Sequence, residues 1–225
     1  MNPSSPWSSP STVQGFASGS PNQALIEFAR GALAPTGNRR ALDIGCGAGR
    51  NAVPLAAQGW QVLGLDLSWA MLVAAATRAR NESVGGRCLV AQAAMHRLPV
   101  ADRSCKLIVA HGIWNLARSD AELREAVRDA ARVAAPGAAL FVFTFSRSTL
   151  ADSAPPLPGE SLVFRNLSGE PQIYLTRQQL TEELGAAGFV PDPVRPLREV
   201  NPRLPGMLLA AGSPVIWEGA FRAAG

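Results

Sequence analysis

Apolar residues along the chain alternate between short unbroken runs and runs spaced three or four apart, and this alternation predicts a repeating βα architecture. Leu25, Phe28, Ala29 and Leu33 predict a helix over residues 21–33, opened by a Ser20/Gln23 capping box with Pro21 in the first helical position. The run Ala41–Ile44 suits a strand buried on both faces. A helix over 51–58 follows, in which Pro54 is tolerable only within the first turn, where its missing N–H breaks no bond. Residues 61–65 are the next strand, Ser68 caps a helix reading WAMLVAAATRAR, and further strands are expected over 87–91, 106–110 and 139–145. Between the last two, a Ser119/Glu122 capping box opens a helix that ends at Pro136-Gly137. A third box, Thr176/Gln179, opens a helix running to Ala187 and stopped by Gly188. Alternating strands and helices of this kind argue for a parallel sheet with helices on both faces.

Two stretches lack periodicity. Residues 1–19 are rich in Ser, Pro and Gly and read as a flexible arm, although Trp7 and Phe16 interrupt it. Residues 147–172, with Pro155, Pro156, Pro158 and Gly159, form a long irregular insertion, and such loops over a crevice are often functional. The length suits one domain spanning 20–225.

The chemistry concentrates between residues 41 and 66, ALDIGCGAGRNAVPLAAQGWQVLGLD. Gly45, Gly47 and Gly49 fall where a parallel strand hands over to a helix, so a ligand can approach the main chain at the positive end of that helix. The dinucleotide fingerprint needs its third glycine where Arg50 stands, so a nucleoside suits this frame better than a pyrophosphate, and binding of NAD is the lesser alternative. Asp66 ends the second strand, where a carboxylate can accept from two vicinal ribose hydroxyls, and Leu67 beside it can pack on a flat base.

With LDIGCGAG and Asp66, residues 40–68 resemble the class I S-adenosylmethionine-dependent methyltransferases. The resemblance implies a three-layer α/β sandwich of Rossmann-like type. Its sheet would be mostly parallel and seven-stranded, with residues 189–200 and 215–222 as an antiparallel hairpin at the C-terminal edge. It implies S-adenosylmethionine as cofactor, S-adenosylhomocysteine as product, and cofactor contacts from Asp43, Gly45, Cys46, Gly47, Gly49, Asn51, Asp66, Leu67, Ala94, Met95 and His111. Ala94 departs from the family pattern, which has there an acid able to accept from the adenine amino group. The loss of one such hydrogen bond costs on the order of 1 kcal/mol. Gln92 is a substitute if the register slips. Lys106 also departs, standing where the family often has an acid, at the strand end remote from the crevice. In such a family the N-terminal arm can fold over the cofactor as a lid, and 147–172 would cap the substrate.

After the fourth strand comes His111-Gly112-Ile113-Trp114-Asn115, which lacks the N-P-P-[YF] signature of relatives that methylate base amines. His111 is the candidate general base or a liner of the cofactor's methionine end, and Trp114 and Asn115 are candidates to wall and orient the acceptor. Arg147 and Tyr174 flank the insertion and are candidates for contacting a polar substrate. The leading reading is methyl transfer to O, N or S of a small molecule. An RNA or protein methyltransferase and a non-methylating binder of the cofactor are the alternatives.

Composition changes this little. The net charge of +4 rests on scattered arginines, with Lys106 the one lysine, which disfavours a nucleic-acid partner. Three distant cysteines and two histidines argue against a disulfide framework or a metal site. No apolar run reaches membrane-spanning length and residues 1–15 carry no secretory pattern, so a cytoplasmic monomer or homodimer is expected.

Overall fold

A computed structural model describes residues 6–166, 168–202 and 214–224. The first five residues of the expected arm and residue 167 of the expected cap lie outside the described residues. The elements are helices α1 (Pro10–Ser18) and α2 (Gln23–Ala32), strand β1 (Arg40–Ile44), α3 (Ala52–Ala57), β2 (Gln61–Asp66), α4 (Trp69–Asn81), β3 (Cys88–Gln92) and β4 (Cys105–His111). They continue with α5 (Asp120–Val133), β5 (Ala134–Phe145), β6 (Val163–Arg165), β7 (Pro171–Ile173), α6 (Arg177–Ala186), β8 (Phe189–Pro191), β9 (Arg198–Val200) and β10 (Ile216–Ala223).

Among the described residues, eight strands form one sheet in the order β3-β2-β1-β4-β5-β10-β8, with β9 also on β10. Pairings from β3 to β5 are parallel, and those of β10 are antiparallel. The expected edge hairpin is present, but its outer strand is split. β9 pairs with the first half of β10 and β8 with the second. Between them Asp192 N–H donates to Ala220 O and Ala220 N–H to Arg195 O, so the chain bows out while staying pinned.

Helices cover both faces, and β4 shows why its sequence is apolar throughout. Leu107 and Val109 face the cluster of α2, α3 and α4, while Ile108 and Ala110 face that of α5 and α6. Pro54 lies within the first turn of α3, as its chemistry requires. The Thr176/Gln179 capping box is formed in full. The Ser119 hydroxyl accepts from Glu122 N–H, but the Glu122 carboxylate accepts from Arg118 N–H, one residue earlier than a full box needs.

Three boundaries differ from expectation. Asn22, and not Ser20, caps α2, because the Asn22 carbonyl oxygen accepts from Leu25 N–H at 3.0 Å and the rest of that side chain is held by distant partners. β5 begins at Ala134, ahead of Pro136-Gly137, with a bulge in its pairing to β4 between Cys105 and Leu107. Lys106 Nζ donates to Pro136 O at 2.8 Å, stitching this irregular start. Part of the expected arm is helical: α1 lies on α4, with Arg78 donating to Ala17 O and Ser68 Oγ to Trp7 O. Within the insertion, β6 and β7 form a small antiparallel ribbon, anchored where Asp120 accepts from Ser161 and Leu162 N–H groups. Among the described residues no helix is long and apolar enough to cross a membrane.

The split edge depends on Gly219, where an added Cβ would lie 2.6 Å from Leu197 Cα, a backbone atom that cannot turn aside. Gly219→Ala is therefore expected to lower unfolding free energy by about 1–3 kcal/mol, read from urea midpoints. An unchanged midpoint would contradict this packing.

Candidate active site

Strand β1 delivers its chain into the turn Gly45–Gly49, and three glycines there have positive φ, at 71°, 52° and 78° for Gly45, Gly47 and Gly49. Two are also needed for space. A Cβ on Gly45 would meet Ile113 at 2.7 Å, and one on Gly49 would meet Val53 at 3.1 Å and Ala75 at 3.2 Å. At Gly47 the neighbour is Phe16 of α1, 3.3 Å from such an atom, so the helical arm lies against the glycine turn. Phe16 itself meets Trp7 edge to face at 5.9 Å.

Asp66 closes this turn from β2. One carboxylate oxygen accepts from Gly47 N–H at 3.0 Å and the other from Ser68 N–H at 2.8 Å. Each oxygen keeps a further lone pair, so the group can still accept from two vicinal hydroxyls. Burial pushes its pKa above the ordinary value, against those N–H groups that favour the anion. Leu67 beside it is 67% exposed, a flat apolar surface at the strand tip. Gln92 lays its amide on Leu67 O at 2.7 Å, so the side chain suggested as a stand-in for the missing acid borders the same rim. Ala94 is half-buried, whereas Met95 turns into the core with Leu98.

Asp43 lies beneath the turn, 2% exposed, with Oδ2 lacking a hydrogen-bond partner among the described residues. Burial raises its pKa to about 7, Arg50 opposes this, and Asp66 adds to it. Cys46 points into the core towards Gly64, so any contact it makes with a ligand comes from its backbone. Burial also pushes its thiol well up, with Asp43 adding to that. Asn51 is buried, with its side-chain oxygen accepting from Asn22 N–H at 3.0 Å.

His111 ends β4, stacked on Phe143 with ring centroids 4.1 Å apart and planes 9° from parallel. Arg50 Nη2 lies 3.2 Å from its Nδ1 and Asn22 Nδ2 lies 3.1 Å from its Nε2. Burial and then Arg50 lower its pKa to about 4, so the ring is neutral at pH 7. Beyond Asn22 lies Glu218, 4% exposed, which accepts from Asn22 at 2.9 Å and is paired with Arg198 at 2.8 Å and Arg195 at 3.3 Å. Burial alone would raise the Glu218 pKa, but these partners outweigh it and hold the group below its ordinary value. Arg50, Asn22, Phe143 and Glu218 were not among the residues the sequence singled out. A carboxylate set between Trp217 and Gly219 in the mostly apolar strand β10 is the signal that could have pointed to Glu218.

The remaining candidates lie after β4 and beside the insertion. Trp114 and Asn115 are buried in a short 3-10 turn, with Trp114 Nε1 and Asn115 Oδ1 unpartnered among the described residues. The Trp114 indole is 1% exposed and belongs to the same core cluster as the buried face of α5. Arg147 spends its guanidinium on the carbonyls of Ala151, Asp152 and Ala154 and lies 4.7 Å over the Phe164 ring, so it organises the insertion. Tyr174 is buried against Phe145 and Phe164, with its hydroxyl on Gln172. At the carboxyl end of β5 a cleft of about 420 Å³ opens between Ser146, Arg147, Thr176, Arg177, Glu199 and Trp217. Among the described residues no three His, Cys, Asp or Glu side chains gather as a metal site would require.

Residues 41–137 match the family model described as "Methyltransferase domain". Over 120 residues the chain is 37% identical to the ubiquinone/menaquinone biosynthesis C-methyltransferase UbiE of Syntrophotalea carbinolica, covering 52% of this chain and 48% of that protein. Over 63 residues it is 44% identical to the 23S rRNA (uracil(1939)-C(5))-methyltransferase RlmD of Pseudomonas putida, covering 28% of this chain and 14% of that one. The chain thus spans less than half the length of these curated relatives. A solved structure of a SAM-dependent methyltransferase from Methanosarcina mazei superposes with a TM-score of 0.69 at 20% identity, over 85% of this chain and 98% of that one.

Two of the buried ionisable groups, Asp43 and His111, have opposite effects on stability as pH changes. Asp43, its folded pKa raised from 3.8 to about 7, loses stability as pH rises through that window, by up to about 4 kcal/mol. His111, lowered from 6.5 to about 4, gains stability as pH rises from 4 to 6.5. Asp43→Asn removes only the first effect. Relative to the wild type, its urea-unfolding free energy should climb progressively between pH 4 and 7; parallel profiles would contradict the buried, raised Asp43.

Proposed function

We propose, for a chain that belongs to the class I S-adenosylmethionine-dependent methyltransferases, transfer of a methyl group from S-adenosylmethionine to O, N or S of a small-molecule acceptor. The observation that carries this reading is the Asp66 carboxylate, held by Gly47 and Ser68 N–H groups with acceptor capacity left over, beside the exposed Leu67. A nucleoside's ribose diol and flat base fit that pair, and three glycines with positive φ leave the main chain open beside them.

When bound, S-adenosylmethionine supplies a methyl group already activated on a sulfonium. The chain's own task is then to hold two reactants in line and shed water, and such positioning can supply roughly 7–11 kcal/mol. Asp66 and the glycine turn would hold the nucleoside, and Phe16 with α1 would roof it as a lid. A ring of pKa about 4 takes up a proton poorly at neutral pH, so His111 serves better as an orienting group than as a base. The cleft of about 420 Å³ at the end of β5 lies within the range of small-molecule sites and is lined by hydroxyls, two arginines and Glu199, which suits a compact polar acceptor. The similarity to a C-methyltransferase of ubiquinone and menaquinone biosynthesis is consistent with a small-molecule acceptor.

The test is transfer of labelled methyl from S-adenosylmethionine to a panel of phenols, amines and thiols, with total RNA and a peptide mixture as competing arms. Stoichiometric S-adenosylhomocysteine with a small acceptor is expected; label in RNA or peptide alone would overturn the acceptor class. In the same assay Asp66→Ala should raise the KM for S-adenosylmethionine about a hundredfold, the effect of two lost hydrogen bonds to a charged group. A KM within threefold of the wild type would contradict the assignment of Asp66.

A further inference from the structure

We propose that Asn22 is a positioning residue that holds His111 as the neutral tautomer protonated at Nδ1, so that the ring meets its ligand as a hydrogen-bond donor and not as a proton acceptor. The observation is a conflict of donors. An imidazole without charge has one N–H and one bare nitrogen, yet Asn22 Nδ2 lies 3.1 Å from Nε2 and Arg50 Nη2 lies 3.2 Å from Nδ1. Both neighbours can only donate, so one of the two contacts must face an N–H. An imidazolium would make both unfavourable.

The surroundings decide which contact is the hydrogen bond. All of Asn22's polar groups are engaged in one direction. Its Oδ1 accepts from Leu25 N–H at 3.0 Å, its Nδ2 donates to Glu218 Oε2 at 2.9 Å, and its N–H donates to Asn51 at 3.0 Å. Turning the amide over would set its oxygen against the Glu218 carboxylate and leave the Leu25 N–H facing an NH2 group. Glu218 cannot follow, because it is buried and gripped by Arg195 and Arg198. The histidine ring is fixed in its turn by stacking on Phe143, and reversing it would present carbons to both donors. Arg50, by contrast, makes no other hydrogen bond among the described residues and is the partner that can swing away.

Nε2 therefore accepts from Asn22, and the proton resides on Nδ1, beside the Arg50 guanidinium. Two donors then converge at the end of β4, an arrangement completed by an oxygen acceptor such as a carboxylate. The role of that pair in methyl transfer rests on the function proposed above; the site of the proton does not.

The test is a long-range 1H–15N correlation spectrum of the full chain labelled in histidine, at neutral pH and without ligand, with His96→Gln removing the one other imidazole. A pyrrole-type shift at His111 Nδ1 and a pyridine-type shift at Nε2 are expected. A proton on Nε2, averaged shifts or an imidazolium would overturn the proposal. Asn22→Asp keeps a capping oxygen but offers Nε2 an acceptor, and should move the proton to Nε2. Asn22→Ser keeps the cap and removes the amide, which leaves Arg50 as the donor facing the ring, so the proton should shift towards Nε2; this variant decides if the aspartate, facing Glu218, does not fold. A wild-type pattern in Asn22→Ser would show that Asn22 is not the lock. Failure of methyl transfer with the expected spectrum intact would count against the proposed function alone.

Discussion

The carboxyl end of this sheet depends on the hydrogen bond from Gly47 N–H to Asp66. β1 and β2 are parallel neighbours with Ile44 opposite Leu65, so the glycine turn leaving one strand and the acid ending the other arrive side by side. The turn can take that path because its glycines adopt positive φ and because, without a Cβ, Gly45 clears Ile113 and Gly49 fits closely against Ala75. The same contact leaves Asp66 oriented outward, next to Leu67. The path of the turn and the orientation of the Asp66 carboxylate are thus set by one local geometry.

Beneath and beside that turn runs a series of buried polar groups, from Asp43 near Arg50, through His111 and Asn22, to Glu218 and the two arginines of the split edge. Burying polar groups is costly unless each is paired, and most of these are. Among the described residues Asp43 Oδ2 and Arg195 Nε lack a hydrogen-bond partner, and Asp43 responds by holding its proton more tightly. Asn22 joins α2, α3, β4 and β10 through one side chain and its N–H, so the far sheet edge is mechanically tied to His111 at the end of β4.

Much of the fold was legible in the sequence because its signals are local. Strands fully buried on both faces read as apolar runs, Pro54 fixed the start of α3, and the Thr176/Gln179 box marked α6. The split edge was not legible, since it depends on Leu197 meeting Gly219 across the sheet. At the site, Gly47 and Asp66 came together as their spacing suggested, whereas Tyr174 is buried against the insertion and Arg147 both organises the insertion and lines the cleft beside it. Asn22 takes the capping place the sequence suggested for Ser20, and its other bonds reach 89 and 196 positions along the chain, beyond any local pattern.

The central claim is that the glycine turn and Asp66 form a nucleoside site for S-adenosylmethionine. Calorimetric titration of the purified chain with S-adenosylhomocysteine and, in parallel, with NAD tests it most directly. Micromolar binding of S-adenosylhomocysteine at one site per chain, with no heat from NAD, is the predicted result. Binding of NAD alone, or of neither ligand, would contradict it.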